Sequence, residues 1–232
     1  CIRDSYQTVY NFGIDVDVLT IEIEKVNVEA LEKLEQEGVA VYPQPHVLKT
    51  IQNKCLQKKF YQENDIPTAA FQEFKSLNDL KDEIIKGKIC YPFVWKSAEM
   101  GYDGYGVSVV QSDKELEELK PGPCIIEEVI KFKKELSVII CRRPKGETVN
   151  YPVVESEFHP VANQVEYILC PARISNAAEE RAVEIALKTA EAYGQIGLLA
   201  VELFLISDEE IIVNEVAPRP VSYTHLTLPT IE

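Results

Sequence analysis

The chain has 232 residues, of which 46% are hydrophobic and 27% charged, so it can bury a sizeable core. Its net charge of −14 excludes a general nucleic-acid surface, which needs a basic stripe, but not the binding of one nucleotide by a few local cations. Six scattered cysteines, without a CxxC or Cys/His cluster, a signal peptide or a long apolar run, indicate a cytoplasmic protein with no membrane partner and no thiolate metal site.

The N-terminal elements follow the pattern of an α/β domain. Residues 18–26 alternate apolar and polar side chains and predict a strand. Asn27 is placed to cap a helix that runs to Glu37, and residues 39–42 predict a second strand. Residues 47–63 are helical in composition. We expect the strand–helix–strand piece of residues 18–42 to be the end of an α/β domain whose start is missing.

Two further regions follow in chain order. The first contains predicted strands at residues 71–74, 93–96, 106–110 and 124–129, with helices at 77–85 and 113–119. The second contains strands at residues 135–141 and 149–154, a helix at 176–193 and a closing hairpin of residues 198–206 and 210–217.

The most informative segment is residues 96–106, in which a lysine closes a predicted strand and three glycines follow. Glycines at this spacing permit positive φ angles and bring backbone N–H groups close to an anion. Lys96 can place a point charge on phosphate oxygens. Alone, such glycines are most often a turn, and the pattern is neither a Walker A loop nor a Rossmann fingerprint. The strand–loop–strand context favours a flap over phosphates.

Two other segments carry charge in unusual positions. Lys54, in the predicted long helix, is by itself an ordinary solvated residue. Residues 127–135 are either an acidic strand end or a hinge between two subdomains. In such a hinge, backbone groups read an adenine edge and Glu135 accepts ribose hydroxyls.

Two carboxylates, Glu202 and Glu215, interrupt otherwise apolar strands that we expect to pair in one hairpin. A buried charge is normally paired or metal-bound. Facing carboxylates with an amide oxygen form a hard oxygen site of the kind that Mg²⁺ takes beside nucleotide phosphates. The alternative is a salt bridge to Arg219 or a lysine.

Together these motifs resemble the ATP-grasp superfamily, and within it the N5-carboxyaminoimidazole ribonucleotide synthetase family. The similarity runs over residues 17–220, and the loop Gly-Tyr-Asp-Gly with the later Asn-Glu-x-Ala-Pro-Arg makes it specific. It implies an α+β protein: an ATP-grasp fold preceded by the remnant of an α/β, Rossmann-like pre-ATP-grasp domain. The expected boundaries are residues 1–46 for the remnant and 47–220 for the ATP-grasp domain, with a glycine-loop subdomain at about 67–130 and a metal/nucleotide subdomain at about 131–220.

The resemblance also implies roles for individual residues. The residues expected to bind ATP are Lys54, Lys96, Gly101, Tyr102, Asp103, Gly104, Tyr105, Gly106, Val107, Glu127, Glu128, Val129, Ile130, Glu135, Asn214 and Glu215. Glu202 and Glu215 would hold Mg²⁺ (or Mn²⁺). Tyr102, Asp103 and Arg219 would be catalytic and face the ribonucleotide and bicarbonate.

The implied reaction is the ATP-dependent carboxylation of 5-aminoimidazole ribonucleotide with bicarbonate, through carboxyphosphate, in purine biosynthesis. The family also implies a homodimer and a separate mutase that takes the product. Alternatives are another ATP-grasp carboxylate ligase, such as biotin carboxylase or the formate-using glycinamide ribonucleotide transformylase, or a non-catalytic nucleotide-binding fragment.

Three departures from the family pattern modify these expectations. The glycine-rich start of the first domain is absent, and Tyr105 stands where a basic residue is common. After Pro220 the family's His-Asn-Ser-Gly-His does not follow, so residues 221–232 are interpreted as a non-family tail and the chain as an inactive fragment. His159 lies next to the position of a family nucleotide-site histidine, which Phe158 occupies.

Overall fold

The structure, a computed structural model, describes residues 5–99, 106–158 and 165–221. The helices in these ranges are α1 Tyr6–Gly13, α2 Val28–Gln36, α3 Pro45–Ile51, α4 Lys54–Glu63, α5 Leu77–Ile85, α6 Asp113–Glu117 and α7 Asn176–Tyr193. The strands are β1 Val18–Thr20, β2 Ala40–Tyr42, β3 Phe71–Phe74, β4 Phe93–Ser97, β5 Val107–Val110, β6 Cys124–Glu127, β7 Lys134–Arg142, β8 Thr148–Asn150, β9 Val154–Phe158, β10 Val165–Leu169, β11 Gly197–Leu205 and β12 Ile211–Ala217.

The chain divides into two compact units: a smaller one of Thr50–Lys131 and a larger one of Cys1–Lys49 with Phe132–Glu232. None of the described helices is long and apolar enough to cross a membrane. The domain boundaries proposed from the sequence stay predictions.

The smaller unit is built on an antiparallel sheet with strand order β3-β6-β4-β5. One apolar cluster, including Leu80, Phe93, Trp95 and Cys124, is buried beneath this sheet. Helix α5 begins where the Ser76 side chain accepts a hydrogen bond from the Asp79 N–H, at 3.2 Å. Lys96 on β4 and Glu127 on β6 therefore lie on paired strands of this sheet.

The larger unit contains two sheets. The parallel pair β1-β2 packs with α1 and α2 around Leu19, Leu31 and Leu34. The second sheet has the order β10-β9-β7-β11-β12, with β8 paired to β7, and α7 packs on β7, β11 and β12. Gly194 ends α7 with a φ of 59°, the left-handed conformation typical of helix C-termini.

Several element predictions are confirmed and some are wrong. Helices at residues 77–85 and 176–193 and the strand at 71–74 have the predicted bounds, and the closing hairpin forms. The strand predicted at residues 18–26 ends at Thr20, because its partner β2 ends at Tyr42, before a proline. The helical stretch 47–63 breaks into α3 and α4, since the Asn53 side chain caps a new helix by accepting from the Leu56 N–H.

Three other features were missed. Residues 149–154 hold the end of β8 and only the first residue of β9, and Pro152 between them has no N–H for a ladder. Helix α1 and strand β10 were not predicted.

Candidate functional site

A buried ionic cluster lies in the smaller unit, where the Glu127 carboxylate sits between two lysines. Lys96 Nζ is 3.0 Å from Glu127 Oε2, and Lys58 Nζ is 3.1 Å from Oε1. The side chains of Lys58, Lys96 and Glu127 are only 1%, 8% and 4% exposed. Lys58 also donates a hydrogen bond of 2.5 Å to the Thr68 hydroxyl. The arrangement holds two ammonium groups and one carboxylate away from solvent.

Strand register explains why Lys96 and Glu127 meet. Glu127 lies opposite Val94 in the β4–β6 pair, and Lys96 is two residues along β4 from Val94. Lys96 and Glu127 therefore share a face as a diagonal pair, a distance that long side chains span. Lys58 comes to the same carboxylate from α4, whose buried residues are Gln57, Lys58 and Tyr61.

Burial lowers the pKa of Lys58 to about 8, against the opposing effect of the Glu127 carboxylate. The positive charges of Lys96 and Lys54 lower this pKa further. The Tyr61 ring centroid is 5.9 Å from Lys58 Nζ, within the range of a cation–π contact.

Other predicted nucleotide residues of this unit lie on β5, on α4 or in the segments beside these elements. Val107, at the start of β5, pairs with Lys96, and the Ser97 N–H donates to the Gly106 carbonyl at 2.8 Å. Gly106 has a φ of 83°, as expected of a glycine in this loop. The N–H of Lys54, the first residue of α4, donates to the Ala98 carbonyl at 2.9 Å.

The segment after β6 has irregular backbone. The Glu128 carboxylate accepts from the Ala70 N–H at 3.0 Å, so its side chain has a structural contact. Val129 and Ile130 follow in the same irregular stretch. Gly101, Tyr102, Asp103, Gly104, Tyr105 and His159 lie outside the described residues, and their roles stay predictions.

In the larger unit, the two predicted metal ligands face each other across the closing hairpin. Glu202 on β11 pairs directly with Glu215 on β12. Immediately beside this pair, Leu203 pairs with Val213, so Asn214 is an extra residue on β12. Such a β-bulge re-aims side chains at its position. It allows Val213 to be buried while Glu215, two residues later, lies on the face of Glu202.

These two carboxylates suit a divalent cation that takes its remaining ligands from phosphates and waters. Both are half-buried, and carboxylate oxygens are the donors that Mg²⁺ prefers. Across residues 5–99, 106–158 and 165–221, no group of three or more His, Cys, Asp or Glu side chains is placed to hold a metal. Mg²⁺ usually binds one or two carboxylates together with phosphates and waters, so the pair fits that ion but not an all-protein cage.

The same sheet face carries Glu135 and an aromatic pair. Glu135 on β7 lies opposite Phe204, which is two residues from Glu202 on β11. The ring of Phe132 stacks on Phe204 with centroids 4.4 Å apart. Strand register thus brings Glu135, Glu202 and Glu215 to one face.

Arg219, expected to be catalytic, is ion-paired in this structure. Its Nε atom is 2.7 Å from Glu24 Oε1, and both side chains are about three-quarters buried, with 23% and 21% exposure. Its Nη1 donates to the Pro220 carbonyl. The alternative interpretation of Glu202 and Glu215, a salt bridge to Arg219 or a lysine, stays a prediction.

Sequence reasoning missed two buried, ion-paired side chains. Lys58 follows Lys54 at i+4 on α4, and this helical spacing was the available signal. Glu155 on β9 is 2% exposed and binds Lys134 at 2.5 Å and Arg173 at 2.8 Å. Burial would raise its pKa, but Arg173 and Lys134 lower it to about 2.

Comparisons with known proteins show the family to which the chain belongs. The ATP-grasp domain model matches residues 59–232, and the model of the ribonucleotide synthetase preATP-grasp domain matches residues 2–52. The chain is 37% identical to the bifunctional purine synthesis protein purC/E of Dictyostelium discoideum, over 97% of this chain and 23% of that protein. It is 36% identical to the N5-carboxyaminoimidazole ribonucleotide synthase of Bacillus subtilis, over 91% of this chain and 56% of the other.

A solved structure shows the same fold. It is the N5-carboxyaminoimidazole synthase of Aspergillus clavatus in complex with ADP and 5-aminoimidazole ribonucleotide. The TM-score is 0.84 at 31% identity, covering 96% of this chain and 58% of that one. The chain therefore spans less than two thirds of each of these three relatives, at 23%, 56% and 58% of their lengths.

Proposed function

Because the chain belongs to the ATP-grasp family and carries its pre-ATP-grasp domain, we propose that it acts in the ATP-dependent carboxylation of 5-aminoimidazole ribonucleotide with bicarbonate. The products are N5-carboxyaminoimidazole ribonucleotide, ADP and phosphate. Support comes from relatives with this name and from the related structure that holds ADP and the ribonucleotide.

The structural observation that carries the proposal is the facing pair Glu202 and Glu215, set by a bulge at Asn214. Two opposed carboxylates on a rigid hairpin are a binding place for Mg²⁺ that accompanies a nucleotide. When bound, the ion would neutralise charge on the transferring phosphoryl group. Asn214 and Glu135 would contact the nucleotide from the same sheet.

In the smaller unit, Lys96 would bind phosphate oxygens through its ammonium group, which Glu127 orients. Lys54, Gly106, Val107 and residues 128–130 complete the nucleotide contacts that we propose there, with the loop of residues 101–105. Bicarbonate is a poor electrophile until phosphoryl transfer forms carboxyphosphate, and the site must then exclude water until the amine attacks. We assign Tyr102, Asp103 and Arg219 to the ribonucleotide and bicarbonate.

One assay tests the reaction: ADP release with bicarbonate, measured with and without 5-aminoimidazole ribonucleotide. We expect release that depends on the ribonucleotide from a protein that spans the full length of these relatives. Equal release in its absence would contradict the assignment and favour another ATP-grasp carboxylate ligase.

A substitution tests the nucleotide role of Lys96. Lys96→Ala removes the ammonium group, so we expect ADP binding to weaken by about tenfold or more in calorimetric titration. Lys88→Ala, at a lysine 65% exposed and paired with Glu83, is the control and should bind normally. Unchanged ADP affinity in Lys96→Ala would reject the phosphate contact.

Two finer points complete the proposal. The cysteines at positions 55, 90, 124, 141 and 170 are free thiols, which is typical of the reducing cytoplasm where we place the protein. We also propose a homodimer, which sedimentation of the protein would test.

A further inference from the structure

The buried cluster of the smaller unit contains one lysine that none of the assigned roles uses. Lys58 is 1% exposed, contacts the Glu127 carboxylate at 3.1 Å and is held by the Thr68 hydroxyl at 2.5 Å. Burying an ammonium group is costly unless it is paired and hydrogen-bonded. Here the carboxylate is shared, because Lys96 occupies its other oxygen at 3.0 Å.

Because two lysines share one carboxylate, the net charge of the cluster depends on Lys58. Lys96 and Glu127 alone would form a neutral pair, with little net attraction for an anion. With Lys58 the cluster of two ammonium groups and one carboxylate has a net charge of +1. Coulomb energies are larger in a poorly solvated environment than in water, so this charge acts strongly on a phosphate at Lys96.

We infer that Lys58 is a positioning residue for nucleotide binding, which balances the charge of Glu127 so that the cluster of Lys58, Lys96 and Glu127 keeps a net positive charge for the nucleotide phosphates. The inference rests on the proposed function, because it takes Lys96 as the residue that contacts phosphate. Lys58 itself lies behind Lys96, bound to Glu127 and Thr68, and acts through the shared carboxylate.

The geometry implies a pH dependence of nucleotide affinity. The groups that face Lys58 are Glu127 from β6, Lys96 from β4, Lys54 and Tyr61 from its own helix, and the Thr68 hydroxyl. Burial sets the pKa of Lys58 at about 8, so its charge is present at pH 7 and lost as the pH rises toward 9. ADP affinity should therefore fall over this range, by about tenfold, when one unit charge is removed near the phosphates.

The test compares ADP with adenosine, which has no phosphate, by calorimetric titration from pH 7 to pH 9. In Lys58→Met, which keeps the length of the side chain without its charge, we expect weaker ADP binding at pH 7, unchanged adenosine binding and no further loss at pH 9. Lys58→Arg should bind ADP normally at both pH values, because a guanidinium stays protonated. Lys59→Met is the matched control: this neighbouring lysine is 49% exposed and paired with Glu73, and the variant should behave as the wild type.

A second variant keeps the inference testable if Lys58→Met does not fold. Thr68→Val retains both lysines and Glu127 but removes the hydroxyl that accepts from Lys58. We expect the pH midpoint of ADP binding to move to lower pH, because the ammonium form loses a hydrogen bond.

Three results would overturn the inference. Equal loss of ADP and adenosine binding in Lys58→Met would show a structural role only. Unchanged ADP affinity, or an unmoved midpoint in Thr68→Val, would show that the lysine does not act on phosphate binding. If the wild type binds no ADP at all, the proposed function fails together with the inference, and this outcome is distinct from a wild type that binds ADP and a variant that binds it equally well.

Discussion

In the smaller unit a buried carboxylate lies between two lysines, whereas in the larger unit two carboxylates lie opposite each other on one hairpin. The first arrangement brings its own counter-charges, so the protein alone can stabilise it. The second places like charges directly across a strand pair. The first cluster is explained by contacts within the fold, whereas for the second pair we propose a bound cation.

The largest test of this difference is Glu127→Gln. The change leaves Lys58 and Lys96 buried without the carboxylate that both contact, and we expect a loss of about 3–5 kcal/mol in the free energy of unfolding. Urea denaturation measures it. The control Glu73→Gln breaks a pair with Lys59 whose side chains are 31% and 49% exposed, and should cost less than about 1 kcal/mol. Similar losses in both variants would contradict the balanced-cluster interpretation.

An intermediate effect is expected at Glu155, a buried carboxylate of the larger unit that is paired with Lys134 and Arg173. Glu155→Gln removes ion pairs to Lys134 and Arg173 and should cost about 1–3 kcal/mol near neutral pH. Glu147→Gln, at a glutamate 63% exposed, is its control and should change stability little.

The pH dependence of Glu155 follows from its lowered pKa. The folded-state pKa is about 2 against an ordinary value of 4.5, so the stabilisation is complete above pH 4.5 and is lost as the pH falls toward 2. In Glu155→Gln, unfolding free energies measured across this window should decline less than in the wild type. Parallel declines would show that the carboxylate is not stabilised by these contacts.

The smallest effect on stability is expected from Glu202→Gln. Removing one of two facing like charges relieves their repulsion, so we expect the free energy of unfolding without metal to change by less than about 1 kcal/mol. With ADP present, Mg²⁺ should raise the thermal midpoint of the wild type but not of the variant. Glu184→Gln on α7, at a glutamate 67% exposed, should keep the Mg²⁺ response. A strong loss of stability in Glu202→Gln without metal would contradict the comparison, because this carboxylate would then stabilise the fold as Glu127 does.

Much of the local structure could be predicted because it depends on neighbours in the chain. Ser76 and Ser175 cap their helices through side-chain acceptors, and both helices have the predicted bounds. Charges that interrupt the apolar strands at Glu202 and Glu215 marked the hairpin, and their pairing is confirmed. The fold class was indicated by the resemblance of the motifs to the ATP-grasp superfamily.

The sequence by itself therefore determined many of the elements, the hairpin and the identity of the charged residues. The tertiary structure decided which of these residues meet. The bulge at Asn214 depends on strand register, and the end of β1 depends on the length of its partner. Lys58 becomes a buried ammonium only because α4 places it on a carboxylate nearly seventy positions away, and no local pattern encodes a contact made through the folded sheet.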